Sequence, residues 1–323
     1  LTILTDPVPG IIGTMYLARD FIETAEGLVF AVTLSGIEDG RIIACLRYRP
    51  GAGGWTKVGS REAIGLLQER FPQYLHYSPR RDAILQAVPL HRIRRHRRPR
   101  ERLRELLAQE RDDPLIRRLQ RLTARLSDCG IATEHLGITG SLLLGCHRPD
   151  SDLDLVCYHR DTFHQAREAV RDLTAAGRLQ PLSESLWRTT WQRRGRPLDF
   201  PTWLWHERRK FNKGAIDGTK FDLMLVEENP APETGQHWHK AGHLTLQATV
   251  IDDADAFATP TRYRLDHPQI PEVLCFTATY MGQARRGERV EIRGRLEISE
   301  AGDRRVIVGA SREAPGEYVK VMR

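Results

Sequence analysis

Two aspartates separated by one residue, Asp152 and Asp154, constrain this chain more than any other feature. Leu153, Leu155 and Cys157 alternate with Asp152, Asp154 and Val156, and a period of two predicts a strand. Residues at i and i+2 share a face of a strand, so the two carboxylates point the same way, about 7 Å apart. Like charges held that close need a counter-cation. Hard oxygen donors of this kind suit Mg²⁺ or Mn²⁺, which take one or two carboxylates together with substrate phosphates. In two-metal chemistry one ion acidifies the attacking hydroxyl and the other neutralises the leaving group.

The residues before the strand fit that chemistry. Thr133–Ile138 reads as a short strand, and Gly140-Ser141 follows it. Ser141 is the expected N-cap of the apolar turn Leu142-Leu143-Leu144, where free N–H groups would face a phosphate. Glycine at 140 lets the backbone approach a ligand closely. A third carboxylate is expected from Asp222, in the apolar run Lys220-Phe-Asp-Leu-Met-Leu-Val226, because an aspartate buried in such a strand needs a cation or a partner.

Gly140-Ser141, a gap of about ten residues, Asp152-Leu153-Asp154 and a later Asp222 together resemble the nucleotidyltransferase family of the DNA polymerase β superfamily. The compact Ser151-Asp152-Leu153-Asp154 form is similar to the minimal bacterial and archaeal members. The resemblance implies a polymerase-β-like core and catalytic, metal-holding roles for Asp152, Asp154 and Asp222. It also implies donor binding by Gly140, Ser141 and Ser151. It departs at one point: Leu144 precedes Gly145 where many minimal members carry an arginine. Arg19-Asp20-Phe21-Ile22-Glu23-Thr24 and Leu46-Arg47-Tyr48 extend the resemblance to predicted nucleotidyltransferases without naming a substrate. Phosphatases of the haloacid dehalogenase type end an apolar strand on their Asp-x-Asp, whereas here the apolar run follows it. Glycosyltransferases lack the preceding Gly-Ser turn.

The charge is concentrated. Residues 91–104 hold eight arginines and one glutamate, and outside them the basic and acidic counts are equal, so the net +7 lies in this one segment. Arginine suits bidentate phosphate contact, so Arg92, Arg94, Arg95, Arg97, Arg98 and Arg100 form a candidate RNA patch. The alternative is a solvated connector paired with Glu101, Glu105 and later acids; no aromatic residues are interleaved for base stacking.

At 323 residues the chain exceeds one ordinary core. An α+β fold of three units is expected. Residues 1–98 form a small α+β unit ending in the arginine segment, 99–235 the nucleotidyltransferase core with leading helices, and 236–323 a β-rich unit. In the first, Leu28–Leu34 and Arg41–Arg49 read as a strand pair and Arg61–Arg70 as a helix capped by Ser60. Asp20 and Glu23 read as structural. Pro99–Cys129 is helical in pattern with a break at Pro114. Asp161–Ala176 and Leu186–Arg193 read as helices, and Phe200–Phe211 as a helix that packs its aromatics on the core. Lys213 and Lys220 both lie near Asp222 in sequence. Gln236–His243 carries His237, His239 and His243 and reads as a linker, because structural zinc needs more ligands. Strands are expected at Leu244–Ile251, Arg262–Leu265, Val273–Tyr280, Glu288–Ile298 and Arg305–Val308, forming a small antiparallel barrel of OB or SH3-like type.

Five widely spaced cysteines argue for free thiols in a reducing cytoplasm. No run approaches a membrane span, and Asp6 with no basic run before Val8–Ala18 argues against a signal peptide. The expected activity is transfer of a nucleoside monophosphate from an NTP such as ATP to a hydroxyl, with RNA as a candidate acceptor. The alternatives are a non-catalytic nucleotide- or RNA-binding regulator and an adenylyltransferase acting on a protein or small molecule.

Overall fold

The structure is a computed structural model that describes residues 15–52, 54–109, 112–193, 197–229, 235–309 and 315–323. Residues 1–14, on which the reading of the N-terminus rests, lie outside them, as does part of the acidic, Pro-rich stretch Glu227–Gly235. The described residues form a mixed α+β structure with three sheets and seven α-helices.

The first sheet holds β1 (Phe21–Thr24), β2 (Val29–Val32), β3 (Arg41–Gly51), β4 (Gly54–Lys57), β5 (Leu75–Ser78), β6 (Ala83–Pro89) and β7 (Ile93–Arg97). Its order is β5-β6-β3-β2-β1-β7, with β4 on β3, and every pair is antiparallel. Helix α1 (Ser60–Arg70) packs on it through Ala63 and Leu67, beside Ile22, Phe30, Leu46 and Tyr74. Gly59, not Ser60, is the N-cap of α1 and supplies no side-chain bond. The arginine segment is no free connector: residues 93–97 are the edge strand β7, paired with β1.

Helices α2 (Pro99–Leu107) and α3 (Pro114–Ser127) each start on a proline, where its missing N–H costs nothing. Asp113 caps α3 by accepting from Leu115 and Ile116 N–H at 2.8 and 3.2 Å. The second sheet follows: β8 (Leu136–Ile138), β9 (Leu153–Cys157), β10 (Lys213–Ile216) and β11 (Thr219–Leu225), in the order β10-β11-β9-β8. Between these strands lie α4 (Gly140–Leu144), α5 (Arg160–Ala175), α6 (Glu184–Arg193) and α7 (Phe200–Arg208). β9 and β11 run parallel and the other pairs antiparallel. Gly137 in β8 is needed because a Cβ there would sit 2.8 Å from Pro99 Cβ, where α2 crosses the strand. Trp203 of α7 is buried edge-to-face on Trp187 at 5.7 Å, the core-packing role expected of that helix.

The third sheet contains β12 (Trp238–Asp252), β13 (Thr261–Asp266), β14 (Glu272–Cys275), β15 (Arg289–Ser299), β16 (Arg304–Val308) and β17 (Tyr318–Val321). β12 bonds both β13 and β15, so the pairing path β12-β13-β14-β16-β15 returns to β12; only β14 and β16 are parallel. The residues read as a linker instead begin β12 at Trp238, because Trp238–Lys240 pair with Ser299–Glu297 of β15, a long-range contact that local pattern does not show. The strand expected to reach Tyr280 ends at Cys275, and residues 278–280 form a 3₁₀ turn capped by Thr277.

The three sheets hold one another. The second and third share a hydrophobic core, with Phe163 5.1 Å from Phe257. The buried His206 on α7 donates from Nδ1 to Thr202 C=O (2.8 Å) and accepts at Nε2 from Val321 N–H (3.1 Å). Burial pushes this imidazole down to about 4. Lys240 of β12 donates to the carbonyls of Arg81 and Asp82, at 2.6 and 2.5 Å, beside the first sheet. No described helix is long and apolar enough to cross a membrane.

Candidate functional site

The apolar alternation of β9 and β11 fixes the site. Phe221, Leu223 and Leu225 are buried on one face of β11, which turns Lys220, Asp222 and Met224 to the other. In the parallel pair Asp222 is the register partner of Asp154. The two side chains therefore project side by side from adjacent strands, and Asp152 lies at the mouth of β9 on the same face. All three aspartates named from the sequence thus lie on one face of the second sheet.

Lys220 was the better of the two nearby lysines. Its Nζ lies 3.0 Å from Asp152 Oδ2 and 2.5 Å from Asp222 Oδ2. Burial opposes its charge, but Asp222 and Asp152 outweigh burial and the ammonium pKa is raised. Lys213 turns away to Glu207, 2.7 Å from its Oε2. Asp154 feels the crowding most. Burial, then the Asp222 and Asp152 carboxylates, push it up to about 6 against the pull of Lys220 and Lys57. The ammonium wedge leaves the three aspartates less tightly gathered than Glu38, Asp39 and His76. That is the group among the described residues whose possible ligand atoms all lie within 4.8 Å of one another. Glu38 is already engaged there by Ser78, at 2.5 Å, and by Arg81.

Gly140 has φ +69°, and a Cβ on it would lie 2.5 Å from Asp154 Oδ2. Only glycine allows the turn to press on that carboxylate. The N-cap is two residues earlier than expected: it is Thr139, whose N–H bonds Asp154 C=O at 2.9 Å. Ser141 is the second residue of α4, and its carbonyl accepts from Cys146 N–H at 3.0 Å. Ser151 holds the preceding loop, with its Oγ accepting from Arg148 N–H at 2.9 Å. Where the resemblance lacked an arginine before Gly145, Arg102 of α2 reaches in: its Nε donates to Leu142 C=O at 3.0 Å.

Sequence reasoning missed what the first sheet contributes. Thr139 Oγ1 donates to Arg19 C=O at 2.8 Å, and Phe21, Val29 and Tyr48 bury against Leu143 and Leu144 of α4. The two N-terminal segments that stood out without a role, 19–24 and 46–48, thus converge on the turn beside Asp154. Arg47 and Lys57 come with them. Partial desolvation of its ammonium and the nearby Arg47 lower the Lys57 pKa, while Asp154 and Asp152 pull the other way. The signals in the sequence were the Arg19–Thr24 and Leu46-Arg47-Tyr48 strings themselves.

The arginine segment divides. Arg92, Arg97, Arg98 and Arg100 pair with Glu26, Glu23, Glu101 and Glu228 at 2.7–3.0 Å, and Arg100 also lies over Tyr158 at 4.1 Å. Arg94 and Arg95 are exposed; the register of β7 against β1 slips between Glu23 and Thr24 and leaves Arg94 without a partner on β1. Asp20, read as structural, accepts from His96 at 2.7 Å.

The chain is 33% identical over 335 residues to the uncharacterized protein MJ1086 of Methanocaldococcus jannaschii, covering 94% of this chain and 98% of that protein. No family model and no solved structure matches it.

Proposed function

The chain belongs to the same family as MJ1086, aligned over nearly the full length of both, and on that premise we propose that it is a metal-dependent nucleotidyltransferase. One observation carries the reading. Asp154 and Asp222 are register partners on parallel strands, with Asp152 beside them and the Gly140 turn pressed on Asp154. The second sheet, with its parallel β9–β11 pair and the short α4 before β9, supports a polymerase-β-like core. The closed pairing path of the third sheet supports a small barrel of OB type.

The donor set fits a hard divalent cation. Three carboxylates share one face, and the Lys220 ammonium bridges Asp152 and Asp222, where positive charge is needed. Asp152, Asp154 and Asp222 would hold Mg²⁺ or Mn²⁺, which acidifies an acceptor hydroxyl and neutralises the leaving pyrophosphate. Lys220 offsets the negative charge of Asp152 and Asp222. Gly140 and Ser141 place backbone N–H groups beside Asp154 for the donor's phosphates. Asp222 would help to activate the acceptor hydroxyl. The acceptor is a hydroxyl, and the exposed Arg94 and Arg95 favour RNA as its carrier.

The test is transfer of label from each α-labelled NTP to RNA, protein or metabolite fractions with Mg²⁺ or Mn²⁺. Asp152→Asn and Asp154→Asn remove charge at constant volume and should each abolish transfer while the melting temperature holds. Full turnover in both variants would sink the reading.

A further inference from the structure

A nucleoside triphosphate approaching three carboxylates is repelled unless other cations face it. Within the second sheet the site has Lys220, already shared by Asp152 and Asp222. The first sheet supplies two more. Tyr48 and Lys57 are register partners in the antiparallel pair β3–β4, so their side chains share a face. Tyr48 is 4% exposed and buries against Leu143 and Leu144, which fixes that face onto α4, the helix that begins at Gly140.

Arg47 is turned to the same side by a β-bulge. β2 residues Val29 and Phe30 pair with Tyr48 and Leu46, leaving Arg47 as the extra residue. Leu46 faces the first sheet's own core with Phe30, whereas Tyr48 faces α4 with Val29. The alternation is therefore inverted across Arg47, and a bulge of this kind re-aims the extra side chain. Arg47 acts on both Tyr48 and Lys57, and each of these in turn feels Asp154. Among the described residues neither Arg47 nor Lys57 has a carboxylate at ion-pair distance, unlike most arginines of residues 91–104.

Building on the nucleotidyltransferase reading, we propose that Arg47 and Lys57 form the polyphosphate-binding rim of the site, so that the first sheet holds the triphosphate of the donor against the aspartates of the second. Two cations at the edge of an acidic trio suit a tetraanionic chain better than a monophosphate, so the rim also selects triphosphates over monophosphates.

The test is titration of the full chain with inorganic tripolyphosphate and Mg²⁺ by calorimetry, run beside the label-transfer assay. Arg47→Gln and Lys57→Gln should each weaken tripolyphosphate binding about tenfold, the worth of one charge-assisted contact. The NTP KM should rise more than kcat falls. Arg47→Lys should recover part of the loss, which a folding defect would not, and Arg264→Gln, exposed on β13, should change nothing. Tripolyphosphate binding in the parent, lost in the variants, upholds the rim even if no fraction takes label; in that case the transferase reading alone fails. Label transfer with an unchanged KM in the double variant, or no tripolyphosphate binding by the parent, overturns the rim.

Discussion

Gly140→Ala separates two effects that glycines at a turn usually combine. Gly140 opens the five residues of α4 and Gly145 follows them, with φ of +69° and +77°. A Cβ in the left-handed region costs about 1–2 kcal/mol at either position. Their surroundings differ. The new methyl at 145 would meet nothing nearer than Arg102 Nη2 at 3.8 Å, whereas at 140 it would lie 2.5 Å from Asp154 Oδ2. Ordinary contact requires a shift of roughly 1 Å by the carboxylate or the turn. A misplacement of that size costs about 100-fold in turnover. Both variants should therefore lose about 1–2 kcal/mol in urea unfolding. Transfer of labelled nucleotide should fall at least about 100-fold in Gly140→Ala and stay within a few-fold of the parent in Gly145→Ala. Equal activity losses in the two, or full activity in Gly140→Ala, would refute the claim that the turn positions Asp154.

Acid should loosen the junction of α7 with the third sheet. His206 is neutral in the fold, with its pKa pushed down to about 4 by burial, while the unfolded chain takes up that proton near 6.5. The unfolded state binds more protons between those values, so stability is complete above about 6.5 and lost as pH falls towards 4, by about 3 kcal/mol. Urea midpoints at pH 7 and pH 5 check this, and His206→Gln should flatten the dependence. For the arginine segment, Arg94→Gln with Arg95→Gln should lower the slope of log K against log salt for single-stranded RNA by about 1.4 in total and leave the melting temperature unchanged. Arg97→Gln should instead show itself as lost stability, since Arg97 already pairs with Glu23.

Local pattern gave what local pattern can give. The strand period at 153–157 and the apolar run at 220–226 placed three aspartates on two strands, and their shared face follows from the side-chain period alone. Proline at 99 and 114 marked both helix starts. Caps were misplaced by one residue at α1 and by two at α4 because a Ser inside the first turn looks like a cap until φ and ψ are known. Three things lay beyond local reading, all products of long-range pairing. These are the closure of β12 onto β15, the edge-strand role of residues 93–97, and the seating of β3–β4 on α4. Ser151 was read through its neighbours in the motif, yet its hydroxyl is used to close its own loop.

The Lys240 contact has a consequence for cooperativity. The first sheet rests on the second through Tyr48 and Thr139, the second on the third through Phe163 and His206, and the third returns to the first through Lys240. In a linear string of three units the terminal one can melt alone, with each junction lost independently. In a ring, releasing any unit breaks two junctions at once, so partial opening costs more and the units tend to melt together. The spacing between β3–β4 and the aspartates is thereby coupled to a side chain far along the chain. Damage at Lys240 would reach the aspartates as a change in how β3–β4 is seated and not in the aspartates' own chemistry.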